Sequence, residues 1–385
     1  MQRVLDLADR IAAAPAQARA QLEAFVAAQT TFPLMDAYDS ATFFYWDGEP
    51  TEAVYLQHWV FGLASRVEFR RIPHTDAFYL PLNLPRSARV EYKLEVFKRG
   101  RSFWTADPRN PRRAFDPFGS NSVCPAGTYV EPEWVHDDRA SRKGRLLKGS
   151  LHSRVWGDDR HFQVYLPAEA RPGKEYPLLI VHDGKDFLHF ARMGVLLDNL
   201  IHRHEMAPLI VCFTSGVDRN REYAANPRQS EFLALELLPH LRAHFPVLPE
   251  PAFNGIMGAS FGAVSALHAA IQHPGIWGQM LLQSGSFAFT DIGDHERGAL
   301  WDPIVTMMNR YREHPRPLGA RVYMSCGTFE SLIYYNRSLV PVFQRTAPEF
   351  HFTESPDGHN WINWRDRLRE ALTFLFPGPL WLYYE

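Results

Sequence analysis

Two rhythms of apolar and polar positions divide the chain. From Ala41 to about Val135, short aromatic and β-branched runs ("ATFFYW", "AVYLQHWV", "RVEFRRI", "AFYLPL", "ARVEYKLEVF") are broken by turn residues, a pattern that predicts a β-sandwich of about a hundred residues. The stretch "WTADPRNPRRAFDPFGSNSV" is rich in Pro, Asp and Asn and predicts an ordered loop with no strand. Beyond the charged segment "HDDRASRKGR" the rhythm changes. Strand-like "RHFQVYLP" and "YPLLIVHDG" lead to a helical pattern over 190–204, then "PLIVCFTS", a helix over about 231–245, "FNGIMG" and another helix-forming run. "WGQMLLQSG", "ARVYMSCGT", a shorter "EFHFTE" and a final helix over about 361–376 complete the series. Strands alternating with helices predict a mostly parallel sheet. Ahead of both regions, Val4, Leu5, Leu7, Ala8 and Ile11 recur at helical spacing and predict a surface helix. The expected organisation is a helical segment over 1–38, a β-sandwich over 39–138 and an α/β domain over 139–385.

Composition narrows the partners. The 385 residues carry 41 basic against 43 acidic side chains, a formal net charge of -2, so no field favours nucleic acid or an anionic membrane. Cys124, Cys212 and Cys326 are far apart and form neither a disulfide framework nor a zinc spacing. Arg3, Asp6, Asp9 and Arg10 interrupt the apolar run that a secretory leader requires, which predicts a cytoplasmic chain. No apolar run approaches bilayer-spanning length.

The chemistry centres on "GIMGASFGAVSALHAA" at 255–270. Gly258-Ala259-Ser260-Phe261-Gly262 fits G-x-S-x-G between an apolar strand and a helix-forming run, the setting in which a sharp turn lifts a serine hydroxyl out of a sheet. A serine needs a base to take its proton and an acid to hold that base. In the α/β-hydrolase fold the chain order is serine, acid, histidine. His359, in the loop "ESPDGHNW" before the last helix, is the expected base; His268, His273, His295, His314 and His351 fall in helices, strands or long connections. Glu330, just beyond the strand ending near Cys326, is the expected acid, with Asp357, Asp302 and Asp291 as rivals. The oxyanion calls for two backbone donors, expected at Phe261 and at Gly184 or Lys185 of "IVHDGKDF". Such chemistry needs no cofactor and no metal, only a small-molecule ester.

Taken together, "IVHDGKDF", "DRNREYAANPRQSEFLALELLPHL", "GIMGASFGAVSALHAA", "LLQSGSF" and "DGHNWINWRDRL" resemble, in content and order, the enterochelin (ferric siderophore) esterase branch of the esterase-D-like α/β hydrolases. The N-terminal half resembles the immunoglobulin-like domain, of early-set type, that precedes the hydrolase in that family; the resemblance covers about residues 40 to 378. It implies the triad Ser260, Glu330 and His359, a substrate pocket lined by Arg219 and Glu222 of "DRNREY", and a sandwich that shapes that pocket. The chain departs from the family after "SGSF", where a tryptophan-rich segment is replaced by Ala288 and Phe289. A sugar ester, feruloyl or acetyl, is the alternative substrate.

Two further classes compete. An inactive hydrolase shell could use the sandwich aromatics Trp46, Tyr55, Trp59 and Trp104 to bind a partner, but aromatics bury the most area and are expected in the core. "HRHE" at 202–205 is the one metal-like string, and adjacent i, i+2 histidines on a helix face different sides.

Overall fold

The computed structural model describes residues 1–37, 39–168, 170–291 and 295–379. By its contacts the chain divides into two compact units. The first comprises Met1–Glu131 with the short segments Thr328–Ser331 and Ser355–Asn360; the second comprises Pro132–Gly327, Leu332–Glu354 and the chain from Trp361 onward.

The first unit holds two antiparallel sheets. One has the order Leu34–Ala37, Ser40–Tyr45, Phe78–Asn83, Arg70–Arg71. The other has the order Arg66–Glu68, Ala53–His58, Arg89–Lys98, Gly119–Pro125, Arg113–Asp116, and Arg101–Thr105 also pairs with Arg89–Lys98. The aromatic run at 43–46 explains how they are covered. Phe43 and Tyr45 point into a core shared with Leu56, Tyr92 and Leu94 of the second sheet. Phe44 and Trp46, on the other face of the same strand, meet Val4, Leu7, Ile11, Leu22 and Phe25.

Three expectations are corrected here. The N-terminal segment is two helices, Gln2–Ala13 and Ala18–Ala27, parted at Pro15, and it is not merely a surface element, because one face of the pair is buried on the sheet. The stretch read as a loop contains the hairpin Arg113–Asp116/Gly119–Pro125. Its Pro117 and Gly119 sit in the turn, where Asp116 Oδ1 accepts the Phe118 N–H at 2.7 Å and Gly119 has φ 128. Of the four aromatics expected in the core, Trp46 is buried, whereas Trp59 and Trp104 are each 54% exposed.

The second unit is built on an eight-stranded sheet. Its strands are β1 (Arg145–Ser153), β2 (Asp158–Leu166), β3 (Leu178–Val181), β4 (Ile210–Thr214), β5 (Asn254–Ala259), β6 (Gln279–Gln283), β7 (Arg321–Gly327) and β8 (Phe350–Ser355), in the order β1-β2-β4-β3-β5-β6-β7-β8. β2 runs antiparallel to β1 and β4, and the strands from β4 through β3, β5 and β6 to β7 are parallel. Alternate residues of β3 enter different cores: Leu178 and Ile180 pack with Leu237, Val264 and Phe343, Leu179 and Val181 with Leu196, Trp364 and Leu372. A sheet covered on both faces requires continuous apolar strands, which is why these segments read as unbroken hydrophobic runs. The expected helices are present at Met193–His202, continuously over 227–244, and at Trp361–Leu375.

Leu7 is fully buried on the four-stranded sheet, so Leu7→Ala is expected to cost about 2–5 kcal/mol. Chemical denaturation would read this as a lower midpoint; an unchanged midpoint would mean that the helix pair adds nothing to the core.

Candidate active site

β5 turns directly into the helix Phe261–Gln272, and Ser260 occupies the turn with φ 57 and ψ -121. A non-glycine residue held there stores about 1–3 kcal/mol of backbone strain. Two glycines make the turn possible. A Cβ on residue 258 would overlap the carbonyl group of Gly262, and one on residue 262 would lie 3.2 Å from the His182 Cβ. The Ser260 N–H donates to the Gln283 carbonyl at the end of β6, 2.9 Å away, and its carbonyl accepts the Ala263 N–H at 3.1 Å. With the main chain fixed on both sides, Ser260 Oγ stands 3.1 Å from Ser286 Oγ.

Glu330 and His359 follow the carboxyl ends of β7 and β8, in the two short segments that belong to the first unit. The structure brings this pair together: His359 Nδ1 and Glu330 Oε2 are 2.7 Å apart, with the glutamate side chain 1% exposed. The segments are also joined through their backbones, Thr328 N–H donating to Ser355 O at 2.8 Å and Phe329 N–H to Asp357 O at 3.1 Å. The rival acids are engaged elsewhere. Asp357 is paired with Arg89, Asp302 with His295 and Asp291 with Arg312. His268 is buried against Ser230 and pushed down to about 4 by that burial, His351 lies against Glu370, and His273 and His314 end helices.

After β3, Asp183 adopts a left-handed conformation, φ 52, and Gly184 and Lys185 open a short helix. The glycine is required by the sheet: a Cβ there would lie 2.5 Å from the Phe213 Cα of β4. The N–H groups of Phe261, Gly184 and Lys185 lie in first turns of helices, where no intrahelical acceptor exists. Arg219 binds both oxygens of Asp183 at 2.6 Å. Glu222 is not paired with Arg219. Its carboxylate is buried, takes two 2.9 Å contacts from Arg160 and accepts the backbone N–H groups of Val217 and Asp218.

Sequence reasoning missed Ser286 and an aromatic wall beside Phe261. Trp301 meets the Phe261 ring edge-on at 5.0 Å, and the Arg297 guanidinium lies 4.6 Å from the Trp301 ring centre. Ser286 lies within the string "LLQSGSF", but nothing in the spacing of Ser286, Phe261, Arg297 and Trp301 signals their contacts. Among the described residues no cluster of three or more His, Cys, Asp or Glu could hold a metal ion, and Glu205 of "HRHE" pairs with Arg369. Among the same residues no helix is long and apolar enough to cross a membrane.

Gly258→Ala is expected to abolish ester hydrolysis while most of the sheet persists, because the new methyl group overlaps the main chain of Gly262 and forces the turn open. Activity assays beside circular dichroism test this; a fully active variant would show that the turn tolerates a side chain at 258.

The family model described as "Esterase: Putative esterase" matches residues 153–375. An iron(III) enterobactin esterase of Escherichia coli is 26% identical over 297 residues, covering 76% of this chain and 68% of the relative. A ferric enterobactin esterase from Salmonella typhimurium superposes with a TM-score of 0.75 at 20% identity, over 92% of this chain and 98% of the other. A ferulic acid esterase superposes with a TM-score of 0.52 at 18% identity, over 61% of this chain and 98% of its own. With the strained serine turn on a mostly parallel sheet and the match covering more than half of the chain, the chain belongs to this esterase family as an enterochelin esterase-like carboxylic ester hydrolase.

Proposed function

We propose that the protein cleaves a siderophore-type ester through Ser260, His359 and Glu330. The observation that carries this reading is the strained backbone of Ser260 between Gly258, where no side chain fits, and Gly262, where one would be crowded: strain of this kind persists where the surroundings over-determine it, and it presents the hydroxyl at the head of a helix. In the proposed reaction Ser260 Oγ attacks the ester carbonyl carbon and its proton passes to His359 Nε2, while Glu330 holds Nδ1–H and stabilises the imidazolium. The carbonyl oxygen becomes an oxyanion facing the Phe261 N–H and that of Gly184 or Lys185. Collapse breaks the ester C–O bond, the alcohol leaves with the proton from His359, and water repeats the sequence to release the acid.

The substrate class rests on the wall beside Phe261. An aromatic face with Arg297 over Trp301 suits an aryl group bearing negative charge, as in a catecholate. The enterobactin esterases among the relatives favour the same class. Arg219, 38% exposed at its side chain while bound to Asp183, offers a substrate a partly open guanidinium beside the Gly184–Lys185 turn. Glu222 contributes from behind, by fixing Arg160 and the 217–218 backbone.

Ser260→Ala and His359→Ala are each expected to lower kcat on a p-nitrophenyl ester by about four to six powers of ten, and the double variant to be barely worse, since the two act as one unit. Glu330→Gln is expected to be milder. Losses that multiply, or a silent Glu330→Gln beside a severe Asp357→Asn, would overturn the assignment. EDTA is expected to leave the rate unchanged; loss restored by zinc would point instead to metal-bound hydroxide. A panel of enterobactin, a feruloylated sugar and an acetylated sugar separates the substrate classes, with enterobactin expected to be turned over best.

A further inference from the structure

The mechanism leaves unused a buried guanidinium in the sandwich unit. Arg89 begins the strand Arg89–Lys98, and its side chain is 3% exposed. Its Nε donates to Asp357 Oδ2 at 2.9 Å and its Nη2 to Asp357 Oδ1 at 3.3 Å. The same Nη2 reaches Glu91 Oε1 at 2.9 Å and makes a short bond to Asn360 Oδ1. Its backbone N–H donates to Pro356 O at 3.1 Å. Arg89 therefore holds the residues at 356, 357 and 360, on both sides of His359. Asp357 carries the grip inward, accepting the Gly358 N–H at 2.7 Å and an Asn360 amide N–H at 2.8 Å.

A fork aimed at both flanks of one histidine restricts where its ring can stand. A planar, always-charged guanidinium does this as a lysine ammonium cannot, because its donors are fixed in one plane. We propose that Arg89, through Asp357 and Asn360, is a positioning residue for His359, so that a strand of the sandwich sets the geometry of the base. This rests on His359 being the base, as proposed above.

The test uses the full chain. Ser260→Ala and His359→Ala are measured first; if either retained wild-type kcat, the triad itself would fall and this inference with it. With both inactive, Arg89→Met is expected to lower kcat for a small p-nitrophenyl ester by about 100-fold, the scale of a small misplacement of a reacting group, with KM nearly unchanged. Arg89→Lys is expected to recover only part of that loss. Arg89→Met combined with Asp357→Asn removes the carboxylate that Arg89→Met alone would strand and leaves Glu91 with its amide contact from Asn121, so it keeps the test open should Arg89→Met not fold, and its kcat is expected to be as low. The low-field proton resonance of the His359 Nδ1–H bonded to Glu330 is expected to broaden or vanish in these variants. It should persist, with kcat unchanged, in Tyr92→Phe, which removes a buried hydroxyl bond to Asp107 in the same strand and so reports loss of stability alone. Wild-type kcat and a wild-type resonance in the folded double variant, or an equal loss in Tyr92→Phe, would leave the triad standing and overturn the role of Arg89.

Discussion

The backbone of residue 262 approaches residue 258 so closely that position 258 has no room for a side chain, and the geometry of the serine turn depends on that contact. It lets a central parallel strand reverse into a helix without an intervening loop. The price is a serine at φ 57, sustained because β6 accepts its N–H and because the helix that follows is buried from Phe261 through Ala270. Ala263, Ala266, Ala269 and Ala270 allow that helix to pack tightly among its neighbours. Relaxing the turn would therefore disturb a close-packed core, which is how a local strain of a few kcal/mol can be held in place.

The sequence made legible the elements whose environment is uniform along their length. β3, β4, β5 and β6 are covered on both faces, so their apolar runs identify them directly. The hairpin at 113–125 was lost because Pro117 and Gly119 mark a loop and a tight turn equally well, and only the pairing of the flanking residues distinguishes the two. Of the proposed site, Ser260 is marked in the sequence by its spacing, and His359 and Glu330 by lying just beyond strand ends. Ser286, Trp301 and Arg297 depend on loops that meet only in the folded chain, and no local pattern encodes such a meeting. Arg89 lies 268 residues from Asp357, with nothing in its strand to mark it apart from other arginines.

Buried ion pairs recur at the loops that carry the proposed chemistry. Arg89 with Asp357, Arg160 with Glu222 and Arg219 with Asp183 each hold a carboxylate at least nine-tenths removed from water. Such pairs are weak sources of stability, since desolvation consumes much of their attraction, but losing one partner strands a charge. Their common property is geometric. Each ties a loop to a distant element through several donors at fixed angles, and Glu222 also caps the 217–218 backbone.

The Arg219–Asp183 pair has an electrostatic consequence as well. Asp183 immediately precedes Gly184 and Lys185, the proposed donors to a developing oxyanion, and a bare carboxylate there would oppose the very charge those donors are meant to stabilise. Because the Asp183 side chain is 4% exposed, that repulsion would be screened less than between groups in solution. With Arg219 bound to both carboxylate oxygens, the local charge is balanced, and the partly exposed guanidinium leaves a modest positive field on the side open to solvent. Asp183 can then serve the turn, its carbonyl accepting the Asp186 and Phe187 N–H groups, without working against the reaction beside it. A buried aspartate next to an oxyanion donor is thus tolerable only as half of an ion pair, which gives Arg219 a reason to be there that does not depend on which ester is cleaved.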